Sequence, residues 1–221
     1  MKPLYTALIL AGLFAGCATE SNQALQTQQV ASAGTYYNGP KSTLVVGNVD
    51  NRSSYMRGLF SDNTDRLGGQ AKTILKTHLQ QTGRFKVVDR DNMDAIASEA
   101  GFKGKQQTIK GADFAVTGQV TEFGRKETGD RQLFGILGSG KKQVAYSKVS
   151  LNIVNVLTSE VVFSVQGAGE YALSNREVIG FGGTASYDST LNGKVLDLAI
   201  REAINRLVEG VESGAWKPAG E

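Results

Sequence analysis

The sequence is poor in the residues that build disulfides and metal centres. It has one cysteine, Cys17, and one histidine, His78, among 221 residues. A disulfide needs two cysteines, and structural zinc sites draw mainly on several Cys and His ligands. The sequence therefore excludes an intrachain disulfide and a multi-histidine metal site. We expect no metal, no catalytic residue set and no enzymatic activity.

The sequence also lacks a strong charge of either sign. Its 24 Lys and Arg residues against 21 Asp and Glu give a formal net charge of +3, and the basic residues form no cluster. Binding to nucleic acid usually depends on a basic patch. We therefore expect no nucleic-acid partner. The hydrophobic content of 40% is sufficient for a folded core.

A run long enough to cross a membrane is missing as well, since the apolar segment 4–15 falls short of the roughly 18 residues required. It follows Lys2 and ends in Leu13-Phe14-Ala15-Gly16-Cys17. This pattern resembles the signal peptide of a bacterial lipoprotein, which predicts cleavage after residue 16 and attachment of diacylglycerol and an N-acyl chain to Cys17. Ala18, in place of Asp, indicates the outer membrane by resemblance to lipoprotein sorting. The alternative is an incidental cysteine in an ordinary signal peptide.

The rest of the chain predicts one α/β domain, with a mixed sheet and flanking helices, over residues 43–216. Residues 17–42 are polar and without periodicity, which indicates a lipidated flexible tether. A short tail, 217–221, ends the chain. Strands are predicted by β-like or alternating stretches, at 43–49, 85–88, 114–123, 144–156 and 161–171, with a short turn at 157–160.

Three helices are predicted from apolar residues spaced three and four apart. The first begins at Arg66 and ends at Gly83. In the second, Asp91 is the expected N-cap, and the residues expected to face inward are Met93, Ile96, Ala97 and Ala100. The third spans about 193–212, and its expected buried stripe is Val195, Leu196, Ala199, Ile200, Ala203, Leu207 and Val211.

Two motifs suggest ligands but match poorly. Residues 135–142 follow the phosphate-loop pattern until Lys142, which occupies the position of the magnesium-binding Ser or Thr. A strand-like stretch follows where a helix is required, so a glycine-rich hairpin tip is the better interpretation, and we expect no nucleotide. Residues 89–94 resemble part of a calcium loop, but Met93 occupies a ligand position. Helix capping explains the same residues.

Glycine is abundant, with 27 residues against three prolines, and it concentrates in two spans. These spans, 124–148 and 167–191, each have the length of a β-hairpin that could cross a membrane, at roughly ten residues per strand. On the strand that enters the second span we expect Val165, Tyr171 and Leu173 to lie on the lipid-facing side. Two long hairpins exposed to water would fit the same pattern.

Three segments, Gly111–Val120, Val149–Val161 and Ala203–Trp216, resemble the CsgG family of curli secretion lipoproteins. Gly111–Val120 matches its "GA.y.v.G.v" strand, and Val149–Val161 matches its "v.lriVnv.TGEil" hairpin with Ser159 in place of Gly. Ala203–Trp216 is similar to its final helix and terminal tryptophan. The resemblance covers about 43–216 and implies a periplasmic α/β body with two hairpins that join a shared β-barrel in a nine-fold ring.

The resemblance also implies a loop that narrows the channel. It maps to Leu59, Phe60, Asn63 and Thr64, where Thr64 replaces an aromatic residue. The implied function is passive secretion of curli-like subunits across the outer membrane, with periplasmic accessory proteins as partners. The alternative is an envelope lipoprotein that forms no pore and docks a cell-envelope partner, in adhesin anchoring or peptidoglycan synthesis.

Overall fold

Five strands and three helices form the fold in the part of the chain that the structure describes. The structure is a computed structural model, and it describes residues 27–55, 65–131, 139–177 and 190–217. In chain order the elements are β1 (Thr43–Asn51), α1 (Arg66–Gln81), β2 (Lys86–Val88), α2 (Met93–Phe102), β3 (Phe114–Arg131), β4 (Ser139–Asn155), β5 (Val161–Glu177) and α3 (Thr190–Glu212). The predicted α/β class with a mixed sheet is confirmed.

The sheet has the strand order β2-β1-β3-β4-β5. β1 is parallel to β2 and β3, whereas β3, β4 and β5 are antiparallel to one another. Parallel neighbours require long crossovers and antiparallel neighbours only a turn. Helices therefore connect the first three strands, and the predicted turn at 157–160 joins β4 to β5. We call the end of the sheet that carries this turn the turn end.

Helix α1 forms as its apolar spacing predicts. Asp65 Oδ1 accepts a hydrogen bond from the backbone N–H of Gly68 at 2.7 Å, which caps the N-terminus. Beyond the C-terminus, Gly83 has a φ of 66°, a conformation that glycine adopts without strain. The face toward β1 carries the buried residues Leu67, Ala71, Leu75 and Leu79.

Helix α3 covers β4 and β5 and buries the whole of its predicted stripe. Its buried residues include Val195, Leu196, Ala199, Ile200, Ala203, Leu207 and Val211. Among the described residues, no helix combines the length and the apolar character needed to cross a membrane.

Two glycines of β5 allow α3 to approach the sheet closely. A Cβ atom added to Gly167 would collide with the backbone oxygen of Ala199 and the backbone nitrogen of Ala203. At Gly169 it would lie 3.0 Å from the backbone oxygen of Val195. Part of the second glycine-rich span is therefore explained by helix–sheet packing.

An aromatic cluster closes the core at the turn end. The ring of Trp216, which is buried, lies 5.8 Å from that of Phe85, 5.3 Å from Phe114 and 6.2 Å from Phe163, measured between centroids. Such pairs add to the stability gained from burial alone. The terminal tryptophan singled out in the sequence is thus a core residue.

Residues 27–42 differ from the flexible tether expected for 17–42. Val30 is only 3% exposed and belongs to the core. The backbone N–H of Ala31 donates to Asn205 Oδ1 at 3.0 Å. The buried Arg84 donates to the carbonyl oxygens of Ser32 and Thr35. These contacts fix the segment on the body, because one apolar side chain and several backbone groups find partners there.

Helix α2 also differs from the prediction. It begins at Met93 after Asn92, and Asp91 does not cap it. None of its residues is buried, so the prediction that Met93, Ile96, Ala97 and Ala100 face inward is wrong. The helix lies beyond β2, an edge strand of three residues, which offers little surface to cover it.

Candidate functional site

Three antiparallel strands continue well past the hydrophobic core. β3 and β4 pair from Phe114↔Asn155 to Arg131↔Ser139, with one register shift between Val120 and Glu122, and β5 follows β4 to Glu177. Phe123 and Ala145 are the last core residues of β3 and β4 in this direction. We call the parts of the three strands beyond these residues the ladder: residues 124–131 of β3, 139–144 of β4 and 172–177 of β5. At about 3.4 Å per residue, the whole of β3 reaches roughly 60 Å, and the ladder part of it roughly 27 Å.

Among the described residues, the ladder has an open edge on both sides. β1 pairs with one edge of β3 only as far as Val120, and no described strand pairs with that edge beyond this point, while β4 occupies the other edge. β5 is the last strand of the sheet among the described residues. An open edge presents unpaired backbone donors and acceptors to any neighbouring strand. The ladder can therefore add strands on either side.

The sheet face opposite the helices is polar near the start of the ladder. Lys148 Nζ lies 3.3 Å from Glu122 Oε1. The ammonium group of Lys126 lies 5.1 Å from the centre of the Tyr146 ring, a cation–π distance. Glu170 is exposed on the same face, where it helps to line a shallow depression. This face is suited to contact with water or with a polar chain.

The three residues predicted to face lipid have different surroundings. Val165 is 9% exposed and packs in the core, so its assignment to a lipid-facing surface is wrong; α3 covers this face of β5. Tyr171 is 39% exposed, and Lys194 Nζ lies 5.6 Å from its ring centre. Leu173 pairs with Gln143 through the backbone, and its side chain lies outside the described part.

The predicted channel-narrowing residues, Leu59, Phe60, Asn63 and Thr64, lie outside the described residues, as does Cys17. The two ends of this loop are described and lie close together. Asp65 Oδ2 accepts a hydrogen bond from the backbone N–H of Asn51 at 2.6 Å, and Asn51 Nδ2 donates to the carbonyl of Tyr55 at 2.9 Å.

The same loop base is joined to the beginning of the ladder. The Tyr55 ring lies 4.8 Å from that of Phe123, and its hydroxyl accepts a hydrogen bond from Asn192 Nδ2 at 2.7 Å. Tyr55 and Asp65, which flank residues 56–64, therefore lie where the ladder starts.

A polar network between α1, α3 and the N-terminal segment was not predicted from the sequence. His78 is buried, and its Nε2 lies 2.6 Å from Asp197 Oδ1. Arg201 Nε donates to Asp197 Oδ2 at 2.7 Å, and Arg201 Nη2 donates to Gln28 Oε1. His78 and Asp197 are 119 residues apart, so no local pattern could have revealed their contact.

The network controls the ionisation of Asp197. Burial favours the neutral carboxyl, but hydrogen bonds from His78 and Arg201 outweigh it and hold the pKa of Asp197 below its usual range. A cleft of about 340 Å³ opens beside this network. Its lining includes Thr27, Gln28, Tyr171, Lys194 and Arg201. The cleft marks where the N-terminal segment meets the start of the ladder.

The two ligand motifs have structural explanations. Lys141 and Lys142 lie within β4, so the helix that a phosphate loop requires does not follow them.

In the calcium-like motif, Asp89 accepts hydrogen bonds from Asn92 Nδ2, the Asp91 N–H and Lys76 Nζ, which lower its pKa. Asp91 is paired with Lys72 and Lys76, and hydrogen bonds from these lysines lower its pKa. No group of residues in the described ranges has the composition to hold a metal ion.

The fold and ladder define a class: an α/β domain with helices on one face and antiparallel strands that project past its core. A family model described as "Curli production assembly/transport component CsgG" matches residues 23–220. The chain belongs to the CsgG family. A protein of Neisseria meningitidis serogroup B (strain ATCC BAA-335 / MC58), named as a candidate lipoprotein, is 62% identical over 221 residues, 99% of each chain.

Solved structures show more distant similarity. The PelC dodecamer of Paraburkholderia phytofirmans is 14% identical, with a TM-score of 0.36 over 82% of this chain and 93% of that one. Lipoprotein GNA1162 of Neisseria meningitidis is 16% identical, with a TM-score of 0.33 over 78% of this chain and 99% of that one. Similarity at this level establishes no shared function.

Proposed function

We propose that this chain is an outer-membrane lipoprotein of the CsgG type, whose copies assemble into a pore that exports polypeptide subunits of curli-like fibres. The open edges of the ladder carry the proposal. In a bilayer, unpaired backbone groups are too costly to persist, so a sheet that crosses it must close on itself. One copy has too few strands for a pore, whereas copies joined edge to edge can form one.

The candidate membrane hairpins fit this assembly. The span 124–148 takes its two arms from β3 and β4, and the span 167–191 takes its first arm from β5. The remainder of the second span lies outside the described residues. Tyr171 and Leu173 stay the candidates for lipid contact. By family resemblance, nine copies would form the ring, and the loop at about Leu59–Thr64 would narrow the passage.

The N-terminal segment supports the same orientation. Gln28 lies beside Arg201, Ala31 beside Asn205, and Ser32 is joined through Arg84 to Glu212. The segment thus runs parallel to α3, and its first described residue, Thr27, lies near Tyr171 at the ladder end of the body.

Cys17 lies ten residues before Thr27, a distance of at most about 35 Å in an extended chain. A lipid on Cys17 would therefore enter the membrane from the side of the body where the ladder projects. Anchor and ladder would then reach the same bilayer.

Transport through such a pore would be passive. The subunits would diffuse as unfolded chains through a polar passage, and the narrow loop would restrain them. No nucleotide is required in this mechanism. Periplasmic accessory proteins would deliver the subunits to the body.

The proposal is tested with the full-length lipoprotein purified from membranes in detergent. We expect oligomers that resist SDS, rings in electron micrographs and ion conductance in planar bilayers. Tyr171→Arg should reduce oligomers and conductance, because it places a charge on a lipid-facing strand. Tyr36→Arg, on an exposed part of the N-terminal segment, is the matched control and should change neither.

Monomers without conductance would contradict the pore. The chain would then be an envelope lipoprotein that docks a cell-envelope partner. Lipidation is tested separately by palmitate labelling of the wild type and of Cys17→Ser, and only the wild type should incorporate label.

A further inference from the structure

Two sets of exposed apolar side chains lie at the turn end. The first set lies on α2 and the segment after it and comprises Ile96, Phe102 and Ile109; Phe102 is 82% exposed. The second lies on the turn between β4 and β5 and comprises Val156, Leu157 and Val161; Leu157 is 91% exposed. Clustered exposed apolar residues usually mark an interaction surface.

In the order of the strands, the two sets adjoin opposite edges of the sheet. The α2 set follows β2, which is one edge of the sheet, and the turn set begins β5, which is the other edge. Four strand spacings, about 19 Å, separate these edges.

Both sets nevertheless lie at the same end. The backbone N–H of Asp113 donates to the carbonyl of Thr43, and that of Val156 donates to the carbonyl of Asp113. The segment after α2 and the β4–β5 turn therefore meet the sheet at one level.

The charges beside the two sets are complementary. Lys103, Lys105 and Lys110 are exposed beside the α2 set. Glu160 is exposed in the turn, and Glu209 is exposed near the C-terminus of α3, which reaches the turn end where Gly210 meets Phe163. None of these five residues forms an ion pair within the described part of the chain.

The acidic residues of α2 lie apart from the lysines in the sequence. Asp94 and Glu99 are within the helix, whereas the three lysines follow its C-terminus. The basic charge is concentrated in the segment 103–110, which is the part that also carries Ile109. The apolar and basic groups therefore coincide.

We propose that the α2 set of one copy binds the turn set of the next copy, in a contact that rests on the proposed assembly of copies. Each contact joins two different surfaces, so every copy keeps one free set on each side and the arrangement can continue around a ring. The apolar side chains leave water, and the lysines face the glutamates. This contact also explains why an apolar helix is left uncovered in a single copy.

The contact is tested by disulfide crosslinking of the full-length lipoprotein in membranes. The variant Phe102→Cys/Leu157→Cys should give a ladder of covalent multimers on oxidation. Each single variant should give no dimers, because like positions do not meet in a head-to-tail contact. A mixture of the two single variants, co-expressed, should give dimers and nothing larger.

Controls separate this contact from chance collisions. The wild type shows whether Cys17 takes part in crosslinking, and Tyr36→Cys/Leu157→Cys places the first cysteine on another exposed surface. Neither should form multimers. Dimers from either single variant would overturn the head-to-tail contact.

A charge exchange provides a second measurement. Lys103→Glu/Lys105→Glu should weaken assembly about tenfold, a loss of roughly 1.4 kcal/mol per contact. Adding Glu160→Lys/Glu209→Lys should restore it. Failure of the restoring pair, with folding unchanged by circular dichroism, would contradict the proposed pairing of charges.

The outcomes distinguish this inference from the proposed pore. Oligomers and conductance without crosslinks would overturn the contact and leave the pore in place. A crosslinked ladder without conductance would support the contact and contradict the pore. Absence of oligomers would contradict both.

Discussion

Helices α3 and α2 have similar apolar spacing in the sequence, yet one is buried and the other is not. Every residue predicted for the buried stripe of α3 lies in the core, and none of α2 does. α3 rests on two long strands, where Gly167 and Gly169 bring the helix backbone close to the sheet. α2 follows a strand of three residues at the sheet edge.

The comparison shows that an apolar helix face is buried only where the fold supplies a surface of matching size. An apolar face without such a surface is available for binding. We therefore expect α3 to control the stability of the chain and α2 to control its association with other copies. Four predictions test this division, in order of decreasing effect.

The largest effect is expected from truncating α3. Leu207 is fully buried, and Leu207→Ala should lower the free energy of unfolding by about 3 to 4 kcal/mol. Ile96→Ala, on α2, should change it by no more than about 0.5 kcal/mol. Urea unfolding in detergent, followed by the fluorescence of the single Trp216, measures both. Equal losses would show that α2 is packed after all.

Two glycine substitutions should change the free energy of unfolding in opposite directions, one beneath α3 and one within α2. Gly167→Ala should destabilise the chain by about 2 to 3 kcal/mol, because the new Cβ collides with the backbone of α3. Gly101→Ala, in α2, meets no atom within 4 Å and should stabilise by about 0.5 kcal/mol through helix propensity. The same unfolding assay applies, and a tolerated Gly167→Ala would contradict the close packing.

A smaller effect is expected where Arg84 holds the N-terminal segment. Its guanidinium donates to Glu212 Oε1 at 2.6 Å and to the carbonyl oxygens of Ser32 and Thr35. Arg84→Met should cost about 1 to 2 kcal/mol and make residues 27–42 the first site of protease cleavage. Arg52→Met removes an exposed arginine paired with Asp50 and should leave the cleavage pattern unchanged.

The smallest effect is a pH dependence from Asp197. Its pKa is lowered in the folded state, so its stabilising contribution is complete above the unfolded pKa of about 3.9 and is lost as pH falls through the lower folded value. With Asp197→Asn, the free energy of unfolding should therefore decrease less between about pH 4 and lower pH than it does in the wild type. At neutral pH it should cost about 1 kcal/mol.

The control for this prediction is Asp94→Asn, a change of the same kind on the exposed helix α2. Unfolding is measured in urea from pH 7 to pH 3. Identical acid profiles for the wild type and Asp197→Asn would show that the network with His78 and Arg201 does not contribute to acid stability.

Local patterns predicted the positions of most elements. The spacing of apolar residues located α1 and α3, and Gly83 marked the end of α1. All five strands were located, but β3, β4 and β5 were predicted too short, because they continue into residues without strong β propensity. Pairing with a neighbour extends a strand beyond what its own residues favour.

The candidate site was predictable only in part. The glycine-rich spans indicated two hairpins; the structure shows β3 and β4 within the first span and β5 through residues 167–177 of the second. The face of β5 that carries Val165 was predicted to contact lipid because apolar and polar residues alternate along the strand. Alternation separates the two faces of a strand but does not show whether a helix or lipid covers the apolar one. The packing of Val30 and the pairing of His78 with Asp197 depend on contacts between distant parts of the chain.

The sequence by itself determined the helix and strand periods, the turn at 157–160 and the composition that excludes disulfides and multi-histidine metal sites, because these depend on neighbouring residues and on residue counts. Only the tertiary structure decided which apolar faces are covered and which strand edges stay open. Burial requires a second surface, and which segment supplies it depends on how the chain is connected and packed. In the part of the chain that the structure describes, that choice buries α3, exposes α2 and leaves the ladder edges open.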